Sequence, residues 1–290
     1  MPSAAGPDFI CIGMQKAGTG WLFDQLQFHP DFWTTPIKEL RYLSGPYTKP
    51  LAEKFLRIAR NPKRLKKVFA SRRPLEPRDI AFLELVASYG DLPMDIDRYI
   101  AMFAFKGEQL TGDITPGYGL MQEDRIAEVG RRLPDTRILL ILRDPISRVW
   151  SQISMAHRNG NFDAGLLEDL SGLRRYLRES EAIQRFAYAS RMVERWRAQA
   201  PALAFRHFFF DDLAERPDQT RAEMIAYIGG DPAKPSGDLA AGHNRKAREE
   251  KLPLSEPVKG VLVEHFAEEL RVCAKLFGGH AEAWAARYGV

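Results

Sequence analysis

Phe9-Ile10-Cys11-Ile12-Gly13-Met14-Gln15-Lys16-Ala17-Gly18-Thr19-Gly20-Trp21-Leu22 is the stretch that decides the fold. A short apolar run ends in glycine and a glycine-rich turn follows. Trp21, Leu22, Gln25, Leu26 and His29 then recur at helical spacing up to Pro30. The order is strand, loop, helix. It repeats downstream, where residues 138–142 (Ile-Leu-Leu-Ile-Leu) are too continuously apolar for a strand with one wet face and read as a central parallel strand. Asp144-Pro145 opens the next helix, with aspartate at the N-cap and proline at the first helical position. A third strand is expected over residues 202–210, ending at Asp211-Asp212 ahead of a helical pattern at 219–228. Strands alternating with helices predict an α/β fold around a parallel sheet.

Between these units, about residues 45–106, the pattern turns basic and helical, which reads as an insertion on the sheet. Its basic stripe reads as a solvated helix face, with a lining for an anionic acceptor as the sharper alternative. Residues 255–284 read as one closing helix. No repeat or low-complexity linker interrupts the chain, so the expectation is one domain over 1–290. Composition is globular, with 45% hydrophobic and 28% charged residues, which excludes disorder. The net charge of +4 fits an anionic ligand, but no long basic tail suggests nucleic acid. Cys11 and Cys273 are too few for a disulfide framework or a cysteine-built zinc site. The N-terminal residues lack a signal-peptide pattern and no apolar run is long enough to span a membrane, so a cytoplasmic location is expected.

The loop from Gly13 to Gly20 has the makings of an anion site, because glycines let backbone N–H groups turn inward and a helix start adds partial positive charge. It is not a Walker A loop. There the second glycine precedes lysine and then a magnesium-holding serine or threonine, whereas Gly18 precedes Thr19 and Gly20 and the lysine lies inside the loop at Lys16. This displacement suits a transferred group with less charge than a γ-phosphate and no metal clamp. A sulfuryl group fits. A P-loop kinase-like phosphotransferase is the alternative reading.

Residues 9–22 resemble the 5′-phosphosulfate loop of the sulfotransferases that use 3′-phosphoadenosine 5′-phosphosulfate (PAPS). Further segments follow in that family's order. Lys38-Glu39-Leu40-Arg41-Tyr42-Leu43 is similar to the KE-x-HFF segment of the heparan-type and bacterial branches, and Thr115-Pro116-Gly117-Tyr118 to their (S/T)P-x-Y element. Arg143-Asp144-Pro145-Ile146-Ser147-Arg148-Val149-Trp150-Ser151 resembles the 3′-phosphate segment, and Phe209-Phe210-Asp211-Asp212-Leu213 the (F/Y)EDL strand end. The resemblance implies a P-loop-NTPase-like sheet flanked by helices and sulfuryl transfer from PAPS, without metal, to a hydroxyl or amine of a carbohydrate, lipid or small-molecule acceptor.

It also implies roles. Lys16 would bridge the 5′-phosphate and sulfate, stabilising charge on the leaving oxygen, while Ala17, Gly18, Thr19, Gly20 and Trp21 complete the donor loop. Family loops usually carry a second hydroxyl where Gly20 stands. Arg143 and Ser151 would hold the 3′-phosphate, and Arg245 and Lys246 would act as the family's late basic loop. Glu39 would be the general base, with His29 and His157 as competitors and an ion pair as its plain alternative. Arg41 replaces a common histidine, Ile114 stands where a second lysine often lies, and Thr115 and Tyr118 are candidates to touch the acceptor. Trp21 falls on the buried stripe of its helix.

Overall fold

The computed structural model describes residues 6–44, 48–68, 72–89, 92–237, 239–243 and 251–290. Four strands, β1 (Phe9–Gly13), β2 (Gly112–Ile114), β3 (Arg137–Leu142) and β4 (Phe205–Phe209), form one sheet in the order β2-β1-β3-β4. Each neighbouring pair is parallel, with Phe9 opposite both Gly112 and Arg137 and Ile138 opposite Phe205. Burial follows position. Every residue of β1 and all of β3 beyond Arg137 are buried, while β4, at the edge, exposes Arg206 and half-exposes its neighbours. The continuous apolar reading of 138–142 is that of a strand covered on both faces.

Fourteen helices cover the sheet among the described residues. The first, α1 (Thr19–Leu26), returns from the β1 loop. Helices α2 (Thr48–Ala59), α3 (Pro62–Val68), α4 (Pro77–Ser88) and α5 (Ile96–Ala101) make up the basic insertion. After β2 and α6 (Glu123–Arg132), the strand β3 leads into α7 (Pro145–Arg158). Three short helices, α8 (Leu170–Glu179), α9 (Glu181–Phe186) and α10 (Ala189–Gln199), precede β4, and α11 (Phe210–Glu215) and α12 (Pro217–Tyr227) follow it. The sequence suggested one closing helix, but there are two, α13 (Glu256–Phe277) and α14 (His280–Tyr288). The break is Gly278-Gly279, both at positive φ (64° and 54°), which ends α13 and turns the chain back.

The turned-back helix has a structural task. Tyr288 donates its hydroxyl to Asp144 at 2.6 Å, and Trp284 donates its indole N–H to Asp211 at 3.2 Å. Asp144, buried, also accepts from the Ile146 N–H at 2.9 Å, so it caps α7 as expected while anchoring the C-terminus. At the other edge of the sheet Lys106 is paired with Asp8 at 2.9 Å, both nearly buried, which fastens the insertion to the start of β1. Both cysteines are buried free thiols, and burial pushes Cys11 up to about 12 and Cys273 higher still, so neither is a nucleophile at neutral pH.

Because all strands run the same way, the loops after β1, β2, β3 and β4 meet along one edge. The chain leaves β1 for β2 on one side and crosses to β3 on the other, so a crevice opens beyond the carboxyl end of β1. Such a switch point is where open α/β sheets bind ligands.

Candidate active site

The loop between β1 and α1 wraps the start of the helix. Gly18 is the residue before α1, at φ 99°, and no side chain caps the helix there. The first N–H groups of a helix have no intrahelical acceptor, so this uncapped start presents donors and a partial positive charge to the crevice. A β-carbon on Gly18 would sit 2.7 Å from Leu213 Cδ1 and 3.2 Å from Phe210 Cδ2, so both the backbone angle and the space require glycine. At Gly20 an added β-carbon meets nothing within 4 Å, which leaves room for the hydroxyl that similar loops carry. Ala17 is fully buried beneath the turn, and Lys16 has a positive φ of 70°.

Two arginines hold the loop from below. Arg143, at the end of β3, donates from Nη1 to the Lys16 carbonyl at 2.6 Å and lies over the Phe210 ring at 4.4 Å. Burial lowers its pKa below the usual arginine range, against the pull of Asp144 and Asp211. Arg148, one turn into α7, is completely buried and donates to the Gln15 carbonyl at 3.4 Å. Its Nε and Nη2 have no hydrogen-bond partner among the described residues. Burial, reinforced by the neighbouring Arg143 charge, pushes it down to about 9. Two close cations, one of them with unspent donors, under a loop of inward amides are an arrangement that an anion would complete.

Opposite the loop lies the segment from Lys38 to Leu43. Lys38 donates to the Thr19 hydroxyl at 3.4 Å and stands 3.6 Å from Glu39, joining the start of α1 to this segment. Glu39, about one-third exposed, accepts from Arg41 Nη2 at 2.7 Å and Nε at 3.2 Å. The segment hangs on β2. The Arg41 N–H donates to the Thr115 hydroxyl at 3.4 Å and the Leu43 N–H to the Tyr118 hydroxyl at 3.3 Å. Beneath them Asp113, wholly buried, accepts from Thr115 at 2.6 Å and Tyr99 at 3.2 Å. Burial raises its carboxyl to about 6 despite these bonds.

Comparison with known proteins matches residues 7–232 to the family model described as the sulfotransferase family. The chain belongs to the sulfotransferase family. Among solved structures, a sulfotransferase from Alicyclobacillus acidocaldarius superposes with a TM-score of 0.63 at 21% identity, covering 96% of this chain and 98% of that one. The sulfotransferase domain from the curacin biosynthetic pathway gives 0.55 at 13% identity, over 94% and 98%. That from the Synechococcus PCC 7002 olefin synthase gives 0.50 at 14% identity, over 92% and 97%. No curated protein matches the chain. The sheet is thus the P-loop-NTPase-like sheet of sulfotransferases, and sulfuryl transfer is the chemistry of the family.

Against that sulfotransferase frame, the residues singled out in the sequence fall into three groups. Lys16, Gly18, Thr19, Gly20 and Arg143 line the loop after β1 or hold it, and Ser151 is half-buried on α7 with no side-chain hydrogen bond among the described residues. Lys16 Nζ lies 3.8 Å from Met155 Sδ, so its side chain runs along α7. Trp21 is not in the core as its helical stripe suggested; it is half-buried and donates to the Ala241 carbonyl at 2.6 Å, while Gln25 donates to Ala240 at 3.1 Å. Residues 251–254 are tied to α7 in the same manner, Trp150 donating to the Leu252 carbonyl at 2.9 Å. Arg245 and Lys246 lie outside the described residues.

The rest stand elsewhere. His29 follows the far end of α1, where its Nδ1 accepts from the Asp31 N–H at 3.2 Å and its Nε2 lies 3.1 Å from the Asp231 carbonyl. Burial holds this imidazole below its usual pKa. It is a structural histidine at the wrong edge of the sheet. His157 is exposed near the end of α7, against the Phe162 carbonyl at 3.4 Å. Thr115 and Tyr118 are fully buried supports rather than pocket walls. Lys38 and Arg148 join the site as well, although the motifs containing them point first to Glu39 and Arg143. The signal was there in each case: a basic residue beside the candidate base, and an arginine one turn into an otherwise apolar helix start.

Proposed function

We propose that this sulfotransferase moves a sulfuryl group from PAPS to a hydroxyl or amine of a small-molecule, lipid or carbohydrate acceptor. The observation that carries the reading is the uncapped start of α1 behind Gly18, with Lys16 in the loop and two arginines, one with unpartnered donors, beneath it. Such a cradle suits a nucleotide with a 5′-phosphosulfate and an extra phosphate. Arg143 and Ser151 bind the 3′-phosphate, with Arg245 and Lys246 as further basic contacts. Gly18, Thr19, Gly20 and Trp21 offer backbone N–H groups to the 5′-phosphate. The acceptor oxygen or nitrogen attacks sulfur, the bond from sulfur to the bridging phosphate oxygen breaks, and adenosine 3′,5′-bisphosphate leaves.

Lys16 stabilises the charge that collects on the leaving oxygen. Glu39 takes the acceptor's proton. Its pairs with Lys38 and Arg41 hold the carboxylate in place, and the Lys38 bridge to Thr19 keeps the base at a fixed distance from the donor loop. The single-domain organisation over 1–290 belongs to the same reading, since the donor and base segments sit on neighbouring strands of one sheet.

Paired kinetics test it. Lys16→Ala should weaken bisphosphate binding and reduce kcat far more, because the contact strengthens as the bond breaks. Glu39→Gln should leave bisphosphate affinity near wild type while turnover on PAPS falls by roughly 10²–10⁴-fold. Wild-type turnover in Glu39→Gln would show that Glu39 is not the base. Equal affinity of the wild type for adenosine 3′,5′-bisphosphate and 5′-AMP would remove the 3′-phosphate assignment.

A further inference from the structure

The charge of this chain is unevenly placed. Residues 48–68 contain eight lysines and arginines against the single Glu53, a net charge of +7, while the whole chain carries +4, so the remainder sums to −3. These residues are the hairpin of α2 and α3, turned at Asn61, whose side chain accepts from the Arg64 N–H at 3.1 Å. Lys54, Arg57, Arg60, Lys63, Arg64, Lys66 and Lys67 are all exposed, and none has an ion pair among the described residues. Several are spaced three or four apart on the helices, where like charges repel. Helix α3 buries none of its side chains, so core packing does not account for its retention.

Between the two helices is a cleft of about 350 Å³ lined by Lys54, Arg57, Ile58, Arg64, Lys67 and Val68. Its walls are apolar: Ile58, the more-than-one-third exposed Val68, and the aliphatic stems of four cations whose charged heads stand at the rim. This pattern selects among polyanions. The hairpin's one aromatic ring, Phe55, is partly buried and covered by Arg72, so it offers no open face on which nucleic-acid bases would stack. It is rich in lysine, which protein interfaces deplete at their centres. An apolar slot ringed by flexible cations suits a phosphate headgroup with its glycerol and acyl part below.

We propose that the α2–α3 hairpin docks this protein on an anionic lipid bilayer, its seven unpaired cations meeting headgroups around the apolar cleft. The inference is independent of the donor and acceptor assignments above. It is tested with the full chain by co-sedimentation with vesicles of phosphatidylglycerol mixed with phosphatidylcholine, and of phosphatidylcholine alone. Binding should be confined to the anionic vesicles and should be lost as salt rises from about 0.1 M to about 0.5 M. The quadruple variant Lys63→Glu, Arg64→Glu, Lys66→Glu, Lys67→Glu takes the hairpin from +7 to −1 and should lower the partition on the order of a thousandfold. Its affinity for adenosine 3′,5′-bisphosphate should stay at the wild-type value. If it fails to fold, the milder pair Lys63→Gln, Lys67→Gln should still lower the partition at least roughly tenfold. Equal capture by neutral vesicles, or wild-type capture of the charge-reversed protein, would overturn the proposal. So would soluble polyglutamate displacing the protein at a charge concentration equal to that of the vesicles, since the partner would then be a soluble polyanion.

Discussion

Replacing Gly18 by alanine should damage the donor loop, and the same change two residues later should not. Gly18 has φ 99°, and an alanine β-carbon there would stand 2.7 Å from Leu213 and 3.2 Å from Phe210. The left-handed backbone costs an L-residue about 1–2 kcal/mol, and overfilling a packed contact about 1–3 kcal/mol, so the two together come to roughly 2–5 kcal/mol. This is a large part of the 5–15 kcal/mol or so that ordinarily separates folded from unfolded chains. Relief requires Leu213 and Phe210 to yield. Phe210 carries the stacked Arg143 guanidinium, which in turn holds the Lys16 carbonyl, so the strain reaches the charged groups of the loop. Gly20, by contrast, lies in the first turn of α1 with open space where a β-carbon would go, and alanine there should add roughly 0.4–1 kcal/mol by restricting the unfolded chain. Urea melts of the two variants, paired with titration of adenosine 3′,5′-bisphosphate, measure both effects. Gly18→Ala should lose stability and bind the bisphosphate at least tenfold more weakly, by about 1.4 kcal/mol. Finding the two variants within about 0.5 kcal/mol of each other, with equal affinities, would refute the packing argument and the role given to the loop.

Arg148→Met removes a buried cation with two unpartnered nitrogens; it should leave stability unchanged or slightly higher, since isolated buried charges are unfavourable, yet weaken bisphosphate binding by tenfold or more in calorimetry. Asp113 has a folded pKa of about 6 against an ordinary 3.8, so the folded state binds the extra proton and the wild type should lose about 2 kcal/mol as pH rises from 4 to 6. Asp113→Asn lacks that slope, and a wild-type stability that rises relative to the variant over this window in thermal melts would contradict the burial argument. Turnover on PAPS should survive excess EDTA, because Gly20 stands where a Walker loop has its magnesium-holding hydroxyl; loss on chelation with recovery on added magnesium would count against it. Adenosine 3′,5′-bisphosphate should slow tryptic cleavage at Arg245 and Lys246, and Trp21→Leu should diminish that protection by releasing Ala241; an unchanged digestion pattern on mass spectrometry would detach these two residues from the nucleotide.

The strands β1 and β3 were legible because a strand covered on both faces must be continuously apolar, and their loops because glycine, aspartate and proline punctuate them. The strand β2 was not, since three residues, Gly112–Ile114, are too few to show a period. The closing segment kept helical spacing across Gly278-Gly279, and only the positive φ angles reveal the turn. At the site, motif positions brought Lys16, Arg143 and Ser151 to one edge, because that edge follows from parallel topology. What the sequence could not convey was which carbonyl each cation would meet. The contacts of Arg143 with Lys16 and of Lys38 with Thr19 cross 127 and 19 residues and depend on packing. Thr115 and Tyr118 likewise read in the sequence as candidates to touch the acceptor, and only their own burial, above the buried Asp113, shows that they are supports.

Those supports divide the molecule's chemistry by ancestry of parts. The candidate base is suspended from β2 through Thr115 and Tyr118, whereas the donor cradle is built from β1, β3 and α7. Lys38, reaching from the base segment to Thr19, is a bridge between the two. The bonds by which Arg143 and Arg148 hold the loop do not pass through the segment that follows Leu43. Farther from the loop, Lys106 on Asp8 ties the insertion to the start of β1 and the Arg73 N–H on Gln27 ties it to the end of α1, so a change in the insertion that spares these contacts and Lys38 leaves the sheet edge as it is.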